Sequence, residues 1–351
     1  MSAIYIHVPF CAKKCPYCDF YSLPATEKTK DKYLARLLEL IPATPFDTVY
    51  LGGGTPSQLG TKRLLEITNA VNFTATAEVT LECNPSDTPN LDLAALRRGG
   101  YNRASLGLQS AVDRERKILG RSGKASEVSL AISCLKEGGF DNISLDIMLG
   151  IPEQSAESLV ETLEFVRKAE VQHVSAYMLK IEENTPFHGQ NLPLPNDVPL
   201  YFQACEQLEK QGFRQYEISN FARKGYESRH NLGYWQCEEY LGLGPAAHSF
   251  IESKRYYFPR DLSGFIDGNH MIFDGDGGDF EEYAILALRL TEGLREDKVR
   301  RRFGHGIPAK THQAALRLAQ HSLVIVDDEG VRLTRRGFLV SNSAMVDLVG
   351  A

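Results

Sequence analysis

The sequence has no long apolar run: its hydrophobic stretches are short or broken by charges, and none has the length of a membrane span. It also lacks a surplus of positive charge. Thirty-nine basic residues face 45 acidic ones, a formal net charge of −6, so there is no general attraction to nucleic acid or to an anionic membrane surface. The first residues run straight into Ile4-Tyr5-Ile6-His7-Val8, without a basic stretch leading into a long apolar one, and no secretory leader is expected. A cytoplasmic location follows as the expectation, with at most peripheral membrane contact and no nucleic-acid partner. Tryptophan occurs once, at Trp235, and the seven cysteines are an odd number. Secreted disulfide scaffolds are short chains with even, dispersed cysteines, and this chain is neither.

What the chain does have is length. Its 351 residues suit a barrel-sized domain plus an appendage, and 43% hydrophobic against 24% charged residues is ordinary for a globular chain with a sizeable core. Short β-like runs alternate with helical stretches through the first two-thirds. Strands are expected at Ala3–Val8, Thr48–Leu51, Glu78–Leu81, Arg103–Leu106, Asn142–Ile147 and His173–Met178. Amphipathic helices are expected between them at Asp31–Ile41, Thr61–Val71, Leu91–Arg98, Ser126–Glu137 and Glu157–Ala169. Successive strand-helix units imply parallel strands, because parallel neighbours need a crossover. The fold class is therefore α/β, a partial (β/α)6 TIM-like barrel, with a doubly wound open sheet as the alternative.

A proline-rich loop, Glu183–Pro199, and a helix at Pro199–Gln211 come next. An aromatic and glycine-rich region then runs from Phe213, and the acidic run Asp274-Gly-Asp-Gly-Gly-Asp279 reads as a linker. Beyond it, helices at Phe280–Leu290, Glu296–Phe303 and Ala309–His321 precede a hairpin of Leu323–Val326 and Val331–Thr334, a winged-helix-like helical unit. The divisions expected are 1–212, 213–273 and 274–351.

Three of the cysteines crowd into Cys11-Ala-Lys-Lys-Cys15-Pro-Tyr-Cys18, directly after the first expected strand. Zinc would want a fourth ligand and usually takes paired C-x2-C units, and no second pair is present, although His7 is a conceivable fourth donor. Three thiolates suit a [4Fe–4S] cube with one iron left open for substrate. This spacing in this position resembles the radical SAM superfamily, in which the open iron chelates the methionine end of S-adenosylmethionine (SAM) and an electron from the cluster breaks its C5′–S bond. Cys83, Cys134, Cys205 and Cys237 are scattered and read as buried packing.

SAM carries an ammonium, a carboxylate, a sulfonium and an adenosine, so its site needs acceptors and donors. In an α/β barrel these belong at the C-terminal ends of strands. Gly52–Thr55 follows the second expected strand, and its glycines allow close backbone approach. Glu82 follows the third, Gln109 the fourth with Arg121 beyond it, and Asp146 lies in the fifth. Taken singly each is more often structural than functional; their recurrence at successive strand ends is the informative point.

Tyr5-Ile-His-Val-Pro-Phe-Cys11, Gly-Gly-Gly-Thr-Pro, Glu82-Cys-Asn-Pro, Ser105-Leu-Gly-Leu-Gln109-Ser and Asp146-Ile-Met-Leu-Gly-Ile-Pro together resemble the HemN/HemW family over nearly the whole chain. The resemblance implies a radical SAM core at 1–212, a haem-associated region at 213–273 and a HemN-type C-terminal helical domain at 274–351. It implies SAM contacts at Tyr5, Gly53, Gly54, Thr55, Glu82, Gln109, Arg121 and Asp146, with Tyr17 as a neighbour. HemN enzymes are oxygen-independent coproporphyrinogen III dehydrogenases; HemW proteins are regarded as haem chaperones. Phe20 stands where the dehydrogenases carry an additional cysteine, and Cys11 comes almost at once, without their longer extension. The run His230-Asn231-Leu-Gly-Tyr234-Trp235 matches the H-N-x-x-Y-W motif associated with haem in HemW.

The chaperone side of the family is thus the expectation: a protein without dehydrogenase activity that carries a [4Fe–4S] cluster and SAM, binds haem and passes it to an acceptor such as a respiratory haem protein. Coproporphyrinogen III dehydrogenase is the alternative. An imidazole is a common axial ligand of haem iron, Tyr234 and Trp235 offer flat apolar area for a porphyrin face, and Asn231 is placed to orient the histidine. His248 is a second ligand candidate, and Arg223 or Arg229 candidates for the haem propionates. Arg300-Arg301-Arg302 and Arg335-Arg336 raise nucleic-acid binding as a competing idea, but a solvated helix face fits the acidic chain better.

Overall fold

A computed structural model describes residues 2–121 and 123–350; the outermost positions of the expected divisions, Met1 and Ala351, lie outside the described residues. The six expected strands are present as β1 (Ala3–Val8), β2 (Phe46–Gly53), β3 (Phe73–Cys83), β4 (Arg103–Gln109), β5 (Ile143–Leu149) and β6 (His173–Met178). They are parallel and adjacent in chain order. A doubly wound sheet reverses its strand order at a switch point; here the order runs on without reversal, so the winding is that of a barrel.

The region after β6 continues the same sheet at both edges. On one side β7 (Arg214–Gln215) and β8 (Asn220–Ala222) extend it, β8 pairing antiparallel to β6. On the other, β9 (Tyr240–Leu243) lies parallel to β1, followed by antiparallel β10 (His248–Ile251), β11 (Lys254–Tyr257) and β12 (Ile272–Asp276). Among the described residues the sheet has twelve strands and stays open, with β12 and β7 as its edges. The acidic run expected as a linker is partly strand: Lys254 and Arg255 of β11 pair with Asp276 and Gly275. Gly275 tolerates φ +138 at the irregularity in this ladder, and basic residues opposite offset the acidic ones.

Helix boundaries follow local chemistry. The helix Leu93–Arg98 starts two residues later than expected because Asp92 caps it, its Oδ1 accepting from the Ala95 amide at 2.9 Å. Asp197–Lys210 starts earlier, capped by Asn196, with Pro199 tolerated in its first turn. The C-terminal unit holds helices Phe280–Ala287, Glu296–Phe303 and Ala309–Ala319, then β13 (Leu294–Arg295), β14 (Val324–Asp327) and β15 (Gly330–Leu333) as a small antiparallel sheet. Among the described residues no helix is long and apolar enough to cross a membrane.

The strands carry two different faces. Ile4, Ile6, Val49, Leu51, Val79, Leu81, Leu106 and Leu145 are buried in the apolar core. The alternate positions are polar almost throughout. In register, Tyr5 stands beside Tyr50, Tyr50 beside Thr80, Thr80 beside Arg103, Glu82 beside Ser105, and Asp146 beside Ser175. A parallel sheet buried by apolar layers on both faces reads as nearly continuous hydrophobic strands. This alternation marks an interior lined with hydrogen-bonding groups.

Candidate cofactor site and adjoining cavity

The cysteine loop leaves and re-enters the fold at one point. The Cys11 amide donates to the Leu23 carbonyl at 3.0 Å, and the Leu23 amide to the Pro9 carbonyl at 2.8 Å. Within this closed lobe the Cys18 amide donates to the Cys15 carbonyl at 3.1 Å. All three thiols are half-buried and free of disulfides. Burial pushes the Cys18 thiol up, and the neighbouring Cys15 and Cys11 add to the shift. Among the described residues no three His, Cys, Asp or Glu side chains gather as ligands of a single metal ion do. A four-iron cube takes each thiolate on a separate iron, so its ligands stand wider apart, and a half-buried set of three thiols matches that donor chemistry.

The glycine run cradles this lobe. The Gly54 amide donates to the Val8 carbonyl at 2.9 Å, and a Cβ there would stand 2.7 Å from the Phe10 carbonyl oxygen. Gly53 holds φ +107 against the His7 ring, 2.5 Å from where its Cβ would be. Thr55 Oγ1 is 3.3 Å from Cys11 Sγ. His7 is fixed on both sides: one ring nitrogen donates to the Tyr21 carbonyl at 2.9 Å, which leaves Nδ1 to accept from the Tyr5 hydroxyl at 3.0 Å. Burial pulls the His7 pKa down to about 4, so the ring is neutral near pH 7 and is engaged inside the protein.

The remaining expected groups form two clusters. Glu82 accepts from the Tyr50 hydroxyl at 2.7 Å and the Gly53 amide at 3.2 Å; burial, with Asp146 adding to it, raises its carboxyl to about 7. Asp146 accepts from Ser105 Oγ at 3.2 Å and is likewise raised by burial. Across the strand ends, Gln109 adopts φ 66, and its amide and the Arg121 guanidinium both close over Gly107. Arg121 Nη2 donates to the Tyr17 hydroxyl at 3.4 Å, while its Nε is buried without a partner among the described residues. An orphaned guanidinium donor beside the thiol loop suits a carboxylate-bearing ligand.

Sequence reasoning passed over Arg103, Glu78, Tyr50 and His173, which fill the interior beneath these strand ends. Arg103 is almost fully buried, and its Nε finds no partner among the described residues. His173 bridges Ser144 at 2.7 Å and Tyr216 at 2.8 Å. The signal was present as polar residues at every second position of parallel strands.

The H-N-x-x-Y-W motif forms a short helix, Arg229–Trp235. His230 is 1% exposed, and the backbone amides of Arg229 and His230 both donate to the Glu78 carboxylate. Its Nδ1 lies 2.8 Å from Thr48 Oγ1 and its Nε2 2.8 Å from the Tyr234 hydroxyl, so Thr48 and Tyr234 orient the ring, not Asn231. The ring stacks on Tyr50, and burial, reinforced by the charge of Arg103, lowers its pKa to about 3. Tyr234 and Trp235 do not share one face, since adjacent helix positions point apart. Trp235 lines a cavity of about 310 Å³ beside Lys298 and Arg302, under the Arg289 guanidinium at 4.2 Å. Arg223 and Arg229, the expected propionate partners, are held by backbone carbonyls: Arg223 by Val171 and Gln211, Arg229 by Thr76.

Tyr234 faces a larger cavity of about 700 Å³ between the cysteine loop and the β9–β11 extension. Tyr5, Tyr21, Tyr240 and Tyr257 form much of its wall, with Arg260 at the loop side and His248 on β10. His248 is exposed and stacks on Tyr257 at 5.7 Å between ring centroids.

Residues 5–166 match the model of the radical SAM superfamily, and residues 279–340 that of the HemN C-terminal domain. The chain is 31% identical to the heme chaperone HemW of Bacillus subtilis, with 100% of both chains covered. It is 34% identical to the mitochondrial radical S-adenosyl methionine domain-containing protein 1 of Mus musculus, covering 92% of this chain and 72% of the mouse protein. Coproporphyrinogen III oxidase (HemN) of Escherichia coli, described as a radical SAM enzyme, superposes with a TM-score of 0.86 at 21% identity, over 99% of this chain and 90% of that one. That last likeness establishes the fold alone.

Proposed function

This chain belongs to the HemW family of radical SAM proteins, and on that footing we propose that it is a haem chaperone. It holds a [4Fe–4S] cluster on Cys11, Cys15 and Cys18, and SAM against Tyr5, Tyr17, Gly53, Gly54, Thr55, Glu82, Gln109, Arg121 and Asp146. It binds haem and hands it to an acceptor protein. The observation that carries the reading is the 700 Å³ aromatic cavity, whose wall includes Asp19, Phe20 and Tyr21 of the cysteine loop. Pockets of 300–1,000 Å³ with apolar walls and a few polar groups are the ordinary size and make-up of cofactor sites.

When bound, such a cluster supplies an open iron for the amino-acid end of SAM and an electron for its cleavage. The chain's own part is positioning. Glu82, poised about 7, is a carboxylate for the ligand's ammonium; Arg121 offers its unpaired donor to a carboxylate; Gly53 and Gly54 keep Cβ atoms out of the cradle. From the haem motif, Tyr234 contributes a wall of the cavity, and His230 backs it from behind.

The test is anaerobic reconstitution, then a haem titration in parallel with coproporphyrinogen III, SAM and reductant. Stoichiometric haem uptake without decarboxylation supports the chaperone. Conversion of the porphyrinogen makes the protein a dehydrogenase. Cys15→Ala should lose the cluster's brown absorbance; full iron and sulfide content in that variant refutes the ligand assignment.

A further inference from the structure

Resting on the reading of this chain as a haem binder, we infer that haem occupies the 700 Å³ cavity with His248, not His230, as axial ligand of its iron. His230 is then a positioning residue that holds Tyr234 in the cavity wall.

The two histidines differ in what they have free. His230 is 1% exposed, and each of its ring nitrogens lies within 2.8 Å of a hydroxyl partner. To ligate iron it would have to give up one of those bonds in a buried network and still reach past Tyr234, since Tyr234 and not His230 lines the cavity. His248 lines the cavity and is exposed, and among the described residues neither of its ring nitrogens is engaged in a hydrogen bond. Ligation forms one dative bond from an imidazole nitrogen lone pair to the iron, displaces water there, and leaves the oxidation state of the iron unchanged.

The surroundings fit a planar aromatic macrocycle. Tyr257 stacks on the His248 ring at an interplanar angle of 28° and fixes the plane of the ligand nitrogen. Tyr5, Tyr234 and Tyr240 supply aromatic wall. Arg260, half-exposed at the same wall, has Nη2 tied to Asp19 and leaves its other guanidinium nitrogens for a propionate. Because Asp19, Phe20 and Tyr21 also line the cavity, a haem here abuts the cysteine loop. The apolar body and aromatic walls favour a tetrapyrrole over a nucleotide or a simple dicarboxylate.

Ferric haem is titrated into the full-length, cluster-loaded protein, and the electronic and EPR spectra report the axial ligand. His248→Ala should lose the histidine-ligated spectrum and bind at least tenfold more weakly, and added imidazole should restore the spectrum. His230→Ala and Tyr234→Phe should each keep that spectrum while weakening binding by a similar few-fold, and the double variant should lose no more than either one. Cluster content and near-ultraviolet dichroism check that each variant folds. An unchanged spectrum in His248→Ala, or its loss in a folded His230→Ala, overturns the assignment while leaving the haem reading intact. Failure of the unsubstituted protein to bind haem overturns both.

Discussion

Arg260 and Asp19 join the wall of the large cavity to the cysteine loop: the Arg260 guanidinium donates to the Asp19 carbonyl at 2.5 Å and reaches its carboxylate at 3.4 Å. Asp19 directly follows Cys18, and the next turn of the loop is tied down in the same way, the Leu262 amide donating to the Tyr21 hydroxyl at 3.0 Å. Exposed ion pairs contribute at most about 1 kcal/mol to stability. Arg260→Ala should therefore fold normally and take up its full iron anaerobically. Its cluster should bleach two- to fivefold faster in air, because the loop is held by one tie fewer. Equal bleaching rates, followed at the cluster's visible absorbance, would show that the tie does not protect the cluster.

Gly54→Ala is the sharpest test of the cradle. Its Cβ would meet backbone atoms of Phe10 and Val8 at 2.7–2.9 Å, and backbone cannot swing aside as a flexible side chain can. The loop must shift, so reconstituted iron should fall by half or more while far-ultraviolet dichroism stays unchanged. Gly53→Ala carries a different penalty, φ +107 against the His7 ring, and should lower stability by about 1–3 kcal/mol, read from denaturant midpoints.

Glu82 gives a pH dependence with a definite sign. Burial raises its carboxyl from 4.5 to about 7, so the folded chain binds this proton more tightly than the unfolded one. The stabilisation is complete below about 4.5 and is lost as pH rises through 7, a change on the order of 1–3 kcal/mol. Unfolding free energy of the cluster-free chain should decline between pH 5 and 8, and Glu82→Gln should flatten that decline. Affinity for SAM should move oppositely over the same window, because its ammonium prefers the carboxylate.

Arg103→Met should cost about 3 kcal/mol or more. Burial works against the guanidinium, but Glu78 and Asp146 favour it, and its removal strands those carboxylates in the interior. Arg103→Met with Glu78→Gln should recover part of the loss; equal melting temperatures for all three proteins would remove Arg103 from this role.

The fold was legible where periodicity and punctuation agree. Every expected strand of the barrel is present because β-branched and aliphatic residues alternate there between helical stretches, and Asp92, Asn196 and Thr26, which starts the first helix at Glu27 instead of Asp31, explain three of the boundaries that moved. The cysteine loop and the glycine cradle were legible because their chemistry is local. Asp274–Asp279 was misread because a run of glycine and aspartate resembles a linker until its partner strand is known. His230 shows the deeper limit. Its sequence context marks it as special, but that Thr48 occupies its Nδ1 depends on a strand 182 residues away. The cavity is assembled from β1, β9, β10, β11 and the cysteine loop, and no stretch of sequence contains it.

The place of β1, inside the sheet between β2 and β9, sets an order of events during synthesis. β1 can pair with β2 as soon as some fifty residues have emerged, so the cysteine loop forms early. Its ties to Arg260 and Leu262 span 241 residues. At ribosomal speeds the second set of contacts arrives roughly 10–50 s after the first. Through that interval the loop stands open on the side that Arg260 and Leu262 later tie down.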